Sequence, residues 1–85
     1  MNRKKRIQNL ISKNFINWKF EVTDNSLQHR GHNNFDGKQE SHFFLILNKP
    51  TDSKEKRIEI HRKLNDLLQK EYDNGLHSFE IKIIN

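Results

Sequence analysis

The stretch NGLHSFEIKII, residues 74–84, closes one element and opens another. Asn74-Gly75 reads as the left-handed stop of a helix, because glycine takes a positive φ at little steric cost. From Leu76 the pattern alternates: His77, Phe79, Ile81 and Ile83 share one parity, and Ser78, Glu80 and Lys82 share the other. Such alternation predicts a strand over about residues 76–84, with one face covered. Upstream, Ile58, His61, Leu64, Leu67, Leu68 and Tyr72 form a helical stripe that runs into the stop. Pro50-Thr51-Asp52-Ser53 opens that helix, with Asp52 and Glu55 at the spacing of a capping box.

Further upstream, SHFFLIL, residues 41–47, predicts a second strand. Phe43, Leu45 and Leu47 lie on one face and His42, Phe44 and Ile46 on the other, which allows cover on both. Trp18, Phe20 and Val22 alternate with Lys19, Glu21 and Thr23 and predict a half-buried strand. Ile7, Leu10, Ile11 and Phe15 fall on one helical face and predict a helix over about residues 3–15. Its first turn holds Arg3, Lys4, Lys5 and Arg6. Cations there oppose the helix dipole, so a solvated, frayed start is expected, or an anionic partner. The order is α-β-β-α-β. A mixed three-stranded sheet with both helices on one face is the economical α+β arrangement for two amphipathic helices and a thin core. With neither repeat nor linker, residues 1–85 are expected to form a single domain.

Composition sets the limits. Leu, Ile, Val and Phe make up 24 of 85 residues, above the level of about one-fifth that marks disordered chains. There is no cysteine, which excludes a disulfide framework, a thiolate zinc site and a cysteine nucleophile. No apolar run is long enough to span a bilayer, and Gln8, Asn9, Ser12, Lys13 and Asn14 interrupt what would be a signal-peptide core. The expected setting is therefore intracellular: cytoplasmic, with mitochondrial as the alternative. The net charge is +5, but 11 Lys and 11 Asn against no Ala and one Val point to a coding bias that dilutes its meaning.

The candidate chemistry lies in histidines. Residues 24–40 have no periodicity, and connections of that length in a small domain are usually functional or disordered. His29-x-x-His32 falls inside this segment and His77 starts the last strand. Imidazole is a common metal ligand, although from the residues alone polar loop histidines and a strand histidine bonded to backbone read more readily as structural. His42 and His61 read as structural, in a strand and on a helical stripe. Asp36 and Glu40 lie near the loop histidines, but no catalytic triad, carboxylate pair or phosphate-cradling glycine pattern is present. No enzymatic activity is expected. For nucleic acid the candidates are Arg3 to Arg6, Lys54, Lys56, Arg57 and the run His61-Arg62-Lys63, with Arg57, Arg62 and Lys63 as the core of the patch.

Taken together, His29-Arg30-Gly31-His32, Glu40-Ser41-His42-Phe43, His61-Arg62 and Gly75-Leu76-His77-Ser78-Phe79 resemble the BolA family in order and spacing, over about residues 7–83. The family pattern is a histidine-bearing loop, E-[ST]-H-F, a helix with R-H-R and a final G-[VL]-H-[AS]. This chain departs from it at Ile60, where the family carries its first arginine, and at Lys49-Pro50-Thr51. The resemblance implies a class II KH-like fold and pairing with a monothiol glutaredoxin. The glutathione-bound glutaredoxin and the BolA-like chain would share a 2Fe-2S cluster, so that no cofactor is expected in the isolated monomer. His77 matches the C-terminal ligand, and His32, or else His29, the loop ligand. Two imidazoles on one iron have precedent in Rieske centres, and protonation would remove them as ligands. The implied role is a non-enzymatic adaptor in iron–sulfur assembly, trafficking or iron regulation. The alternative is a DNA-binding transcriptional regulator.

Overall fold

Five elements appear in the computed structural model, which describes residues 2–26 and 41–85. They are α1 (Arg3–Asn14), β1 (Lys19–Asp24), β2 (His42–Asn48), α2 (Arg57–Asp73) and β3 (Ser78–Ile84), in the predicted order. The sheet order is β1-β2-β3. The central β2 pairs antiparallel with β1 and parallel with β3. A parallel neighbour needs a crossover connection, and α2 supplies it.

Register explains the alternation. Val22 lies opposite Leu45, which lies opposite Ile81; Phe20, Leu47 and Ile83 form the next row. These rows join Ile7, Ile11 and Phe15 of the first helical segment and Ile60, Leu64 and Leu68 of α2 in one core. Full burial of a leucine such as Leu45 or Leu47 stabilises by about 1.5–3 kcal/mol. The other face carries Thr23, Phe44 and Glu80 in one row and Glu21, Ile46 and Lys82 in the next. Phe44 and Ile46 are half-buried there, so the helices cover one face only.

α1 starts with the Asn2 side chain accepting the Lys5 N–H at 2.9 Å. It stops after Phe15 N–H reaches the Ile11 carbonyl, and the chain turns through Asn17 at φ 69°. Trp18 then packs on Phe15 with ring centroids 4.9 Å apart. α2 ends as expected: Leu76 N–H bonds back to the Glu71 carbonyl, and Gly75 sits at φ +113°.

Three expectations need correction. The buried stripe of α2 is Ile60, Leu64, Leu68 and Glu71; Ile58 is 56% exposed and His61 only half-buried. The two isoleucines compete for the core, and the phase with Ile60 inward also aligns Leu64 and Leu68, at i+4 and i+8. The start of α2 follows suit. The backbone N–H of Lys56, not a cap at Asp52, bonds the Glu59 carboxylate at 3.2 Å, while Ser53 accepts the Glu55 N–H within the preceding turn. Finally, the first turn of α1 is tied down. Arg3 and Arg6 both bind Glu71 of α2, and the Arg3 guanidinium also donates to the Asn74 carbonyl at 2.6 Å. Cations that oppose the dipole of their own helix here satisfy the C-terminal, negative end of the neighbouring one.

Candidate functional site

The end of the sheet where β1 runs out and β2 and β3 begin collects most of the polar chemistry. Asp24 ends β1, and its carboxylate accepts the backbone N–H of Ser26 at 2.9 Å and the Ser26 hydroxyl proton. The Ser26 oxygen, fully buried, in turn accepts the N–H groups of Ser41 at 2.9 Å and His42 at 3.1 Å. Asn25 N–H adds a bond to the His42 carbonyl at 2.7 Å. Ser26 thus clasps together the two stems of the segment 27–40. Leaving both amides without an acceptor would cost about 1–3 kcal/mol each, so the stems are fixed relative to one another.

His77 lies at this same end. Its N–H and that of Ser78 both donate to the Ser41 carbonyl, at 2.7 and 3.1 Å. This convergence delays the β3 ladder to Ser78 and leaves the His77 side chain exposed. The expectation of a strand histidine absorbed by the backbone is not met. Between the start of β2 and the residue before β3, the His42 ring meets the His77 ring edge-on, with centroids 5.6 Å apart and planes at 71°. Nδ1 of His42 is 2.8 Å from the Ser41 hydroxyl. His29 and His32, the expected loop ligands, lie outside the described residues, as do Asp36 and Glu40. His61 belongs to α2 and is half-buried there. Among the described residues no three metal-ligating side chains come together, so His42 and His77 form a pair.

Two features were missed in the sequence. One is the Ser26 clasp, whose signal was the D-x-S spacing of Asp24 and Ser26, an Asx-type turn. The other is the proximity of His42 to His77, which follows from the parallel register that puts His42 opposite Ser78.

The expected basic patch is divided. Lys63 caps α1 by donating to the Asn14 carbonyl at 3.0 Å, with its ammonium 4.7 Å from the Phe15 ring centroid. Arg57 and Arg62 are exposed, but five residues apart on a helix they point roughly 140° from each other. On the helical layer a shallow groove of about 380 Å³ is lined by Arg6, Leu10, Lys13, Leu67, Lys70 and Glu71, among others. The Arg6 and Arg3 guanidiniums hold the Glu71 carboxyl below its ordinary value against the opposing effect of burial. That network joins α1 to α2 and is structural. No helix of the described residues is long and apolar enough to cross a membrane.

Comparison with known proteins agrees with this architecture. The family model for BolA-like proteins matches residues 3–85. A Sinorhizobium protein, titled an uncharacterized protein in the cobS 5' region, is 38% identical over 65 residues, covering 75% of this chain and 70% of that one. The BolA domain of SufE1 from Arabidopsis thaliana superposes with a TM-score of 0.75 at 31% identity, over 99% of this chain and 92% of that domain. BolA1 from the same plant gives a TM-score of 0.75 at 27% identity with the same coverage. With the family model matched from the start of α1 to the last residue, and the fold shared with two BolA domains, the chain belongs to the BolA-like family.

Proposed function

We propose that the chain is a non-enzymatic adaptor that pairs with a glutathione-bound monothiol glutaredoxin and shares a 2Fe-2S cluster with it. His77 supplies one imidazole, and His32 or His29 the second. One observation carries this proposal: His77 is exposed at the sheet end where Ser26 clasps both stems of the histidine-bearing segment. A chain without cysteine can complete one iron with two imidazoles, while the partner and its glutathione supply sulfur. The donor set of this chain therefore fits half of a shared site. Bound there, the cluster would be delivered to or withdrawn from iron–sulfur assembly or an iron-responsive pathway. The chain's own contribution is an imidazole at a fixed strand end and a second from the segment between the two clasped stems.

The test is anaerobic cluster reconstitution with a glutathione-loaded monothiol glutaredoxin, followed by visible absorption and circular dichroism. The heterodimer should give a spectrum distinct from that of the glutaredoxin homodimer. His77→Ala should alter it, and either His32→Ala or His29→Ala should do the same. A spectrum identical to that of glutaredoxin alone would contradict the adaptor role. A DNA-binding role has weaker support, since Lys63 is committed to α1 and Arg57 and Arg62 diverge.

A further inference from the structure

We infer that β3 is a self-association strand: two copies of the chain pair along it, antiparallel and in one register, and join their three-stranded sheets into one. The inference goes beyond the cluster proposal, which uses His77 before the strand and nothing within it.

β3 closes one side of the sheet, and among the described residues no further strand lies beyond it. Its backbone shows which groups are left over. Ser78 N–H donates to the Ser41 carbonyl, and the Ile84 carbonyl accepts Lys49 N–H, so the even-numbered residues turn toward β2. Successive residues of a strand turn opposite ways. Phe79, Ile81 and Ile83 therefore direct their N–H and carbonyl groups to the open edge. The Tyr72 phenol oxygen accepts the first of these N–H groups. The Ile81 and Ile83 N–H groups and all three carbonyls have no partner among the described residues. Such a row is a template for another strand.

The sequence of β3 selects the mate. Ladder bonds require the outward-turned residues of both strands to face one another, so a two-fold axis has to pass at a residue. At Glu80 it would set Glu80 against Glu80, and at Lys82 it would set Lys82 against Lys82; at Phe79 or Ile83 much of the strand would lie unpaired. At Ile81, the midpoint of Ser78–Ile84, every residue of the strand gains a partner. Ile81 then faces Ile81 of the second copy, and Phe79 faces Ile83, as hydrogen-bonded pairs. Glu80 faces Lys82, twice over, in the non-bonded pairs where side chains come closest. The axis is perpendicular to the sheet and keeps both helical layers on one side. Phe79, Ile81 and Ile83, half-buried against the core, thus cover one another. Glu80 and Lys82 are exposed. A lysine on an edge by itself guards against pairing; opposite a glutamate it fixes the register instead. The contact is isologous and rests on a single strand, small beside the interfaces of permanent dimers, so association is weak and concentration-dependent.

The experiment is sedimentation velocity on the purified chain alone at rising concentration, with charge swaps at the two exposed positions. Wild type should pass from monomer to dimer. Glu80→Lys and Lys82→Glu each set like charges opposite one another and should weaken association roughly tenfold or more. An equimolar mixture of the two variants restores both attractive pairs and should dimerise as wild type does, and so should the double variant. Far-UV circular dichroism checks that each variant is folded. A wild type that stays monomeric throughout overturns the inference and leaves the edge to an extended strand of another protein. Undiminished association in either single variant also overturns it, by placing the contact elsewhere. A mixture that associates no better than its components refutes the register. Because no glutaredoxin is present and His77 is untouched, these results are separate from those of the cluster reconstitution.

Discussion

Glu71→Gln should destabilise the fold by about 2–3 kcal/mol at neutral pH. The carboxylate side chain is 10% exposed and accepts from Arg3 Nε at 2.8 Å and from two Arg6 nitrogens at 2.9 and 3.0 Å. Glutamine keeps the volume and one acceptor oxygen but removes the charge. Arg3, 11% exposed, is then a nearly buried cation short of its counter-charge, and hydrogen bonds to charged groups are worth about 1.5–3 kcal/mol. Arg6 is 42% exposed, so solvent screening limits its share to about 0.5 kcal/mol. A loss of this size is a large part of the total for 85 residues, roughly 4–13 kcal/mol at typical per-residue values. It should lower Tm by ~10–20 °C. Urea unfolding followed by the fluorescence of the single Trp18 measures it directly. The pH dependence gives a second arm. The folded-state pKa of Glu71 is lowered, so its contribution is complete above the unfolded value of about 4.3 and is lost as pH falls through the folded one. Wild type should therefore lose stability on acidification more steeply than Glu71→Gln. A ΔΔG below about 0.5 kcal/mol, well under the 1.5–3 kcal/mol of a charge-assisted bond, with parallel acid limbs, would refute the account of this network.

Other positions test the remaining architecture. Ser26→Ala removes the acceptor of one buried and one part-buried amide; it should cost about 2–4 kcal/mol and speed hydrogen exchange at Ser41 and His42, whereas unchanged exchange would mean that the clasp does not hold the stems. Ile60→Ala should cost about 2–5 kcal/mol, while Ile58→Ala, at a position 56% exposed, should stay within roughly 0.5 kcal/mol; the reverse order in denaturant midpoints would restore the sequence-based phase of α2. Gly75→Ala should cost about 1–2 kcal/mol through its positive φ and not through crowding, since an added Cβ would meet Arg3 Nη2 at an ordinary 3.5 Å; a neutral result in thermal melts would contradict this.

Much of the fold was legible because its signals are local. The alternation of Phe43, Leu45 and Leu47, and of Phe20 and Val22, identified the inner face of the sheet before any register was known. Asn74-Gly75 announced the end of α2 because a positive φ is a property of the residue itself. What escaped depends on partners distant in sequence. Glu71 completes the buried stripe of α2 only because Arg3 and Arg6, 68 and 65 residues away, neutralise it. A charged residue looks out of place on an apolar face, and that concealed the correct phase. Ile60, noted as a departure from the family pattern, is for the same reason a core position. The candidate site divides in the same way. His77 was visible from its place after the helix stop, but its contact with His42 required the parallel register of β2 and β3. Ser26 drew no notice because its role lies in two amides on the far side of the 27–40 segment.

The central claim is that imidazoles of this chain sit on the iron of a shared cluster, and nitrogen hyperfine spectroscopy tests it most directly. The chain, labelled with ¹⁵N-histidine, would be assembled anaerobically with unlabelled glutathione-bound monothiol glutaredoxin, and the reduced 2Fe-2S cluster examined by pulsed electron paramagnetic resonance. The account predicts strong ¹⁵N couplings from two imidazoles, one of which disappears in His77→Ala. A reduced heterodimer cluster without strongly coupled ¹⁵N, or couplings indifferent to His77→Ala, would contradict it.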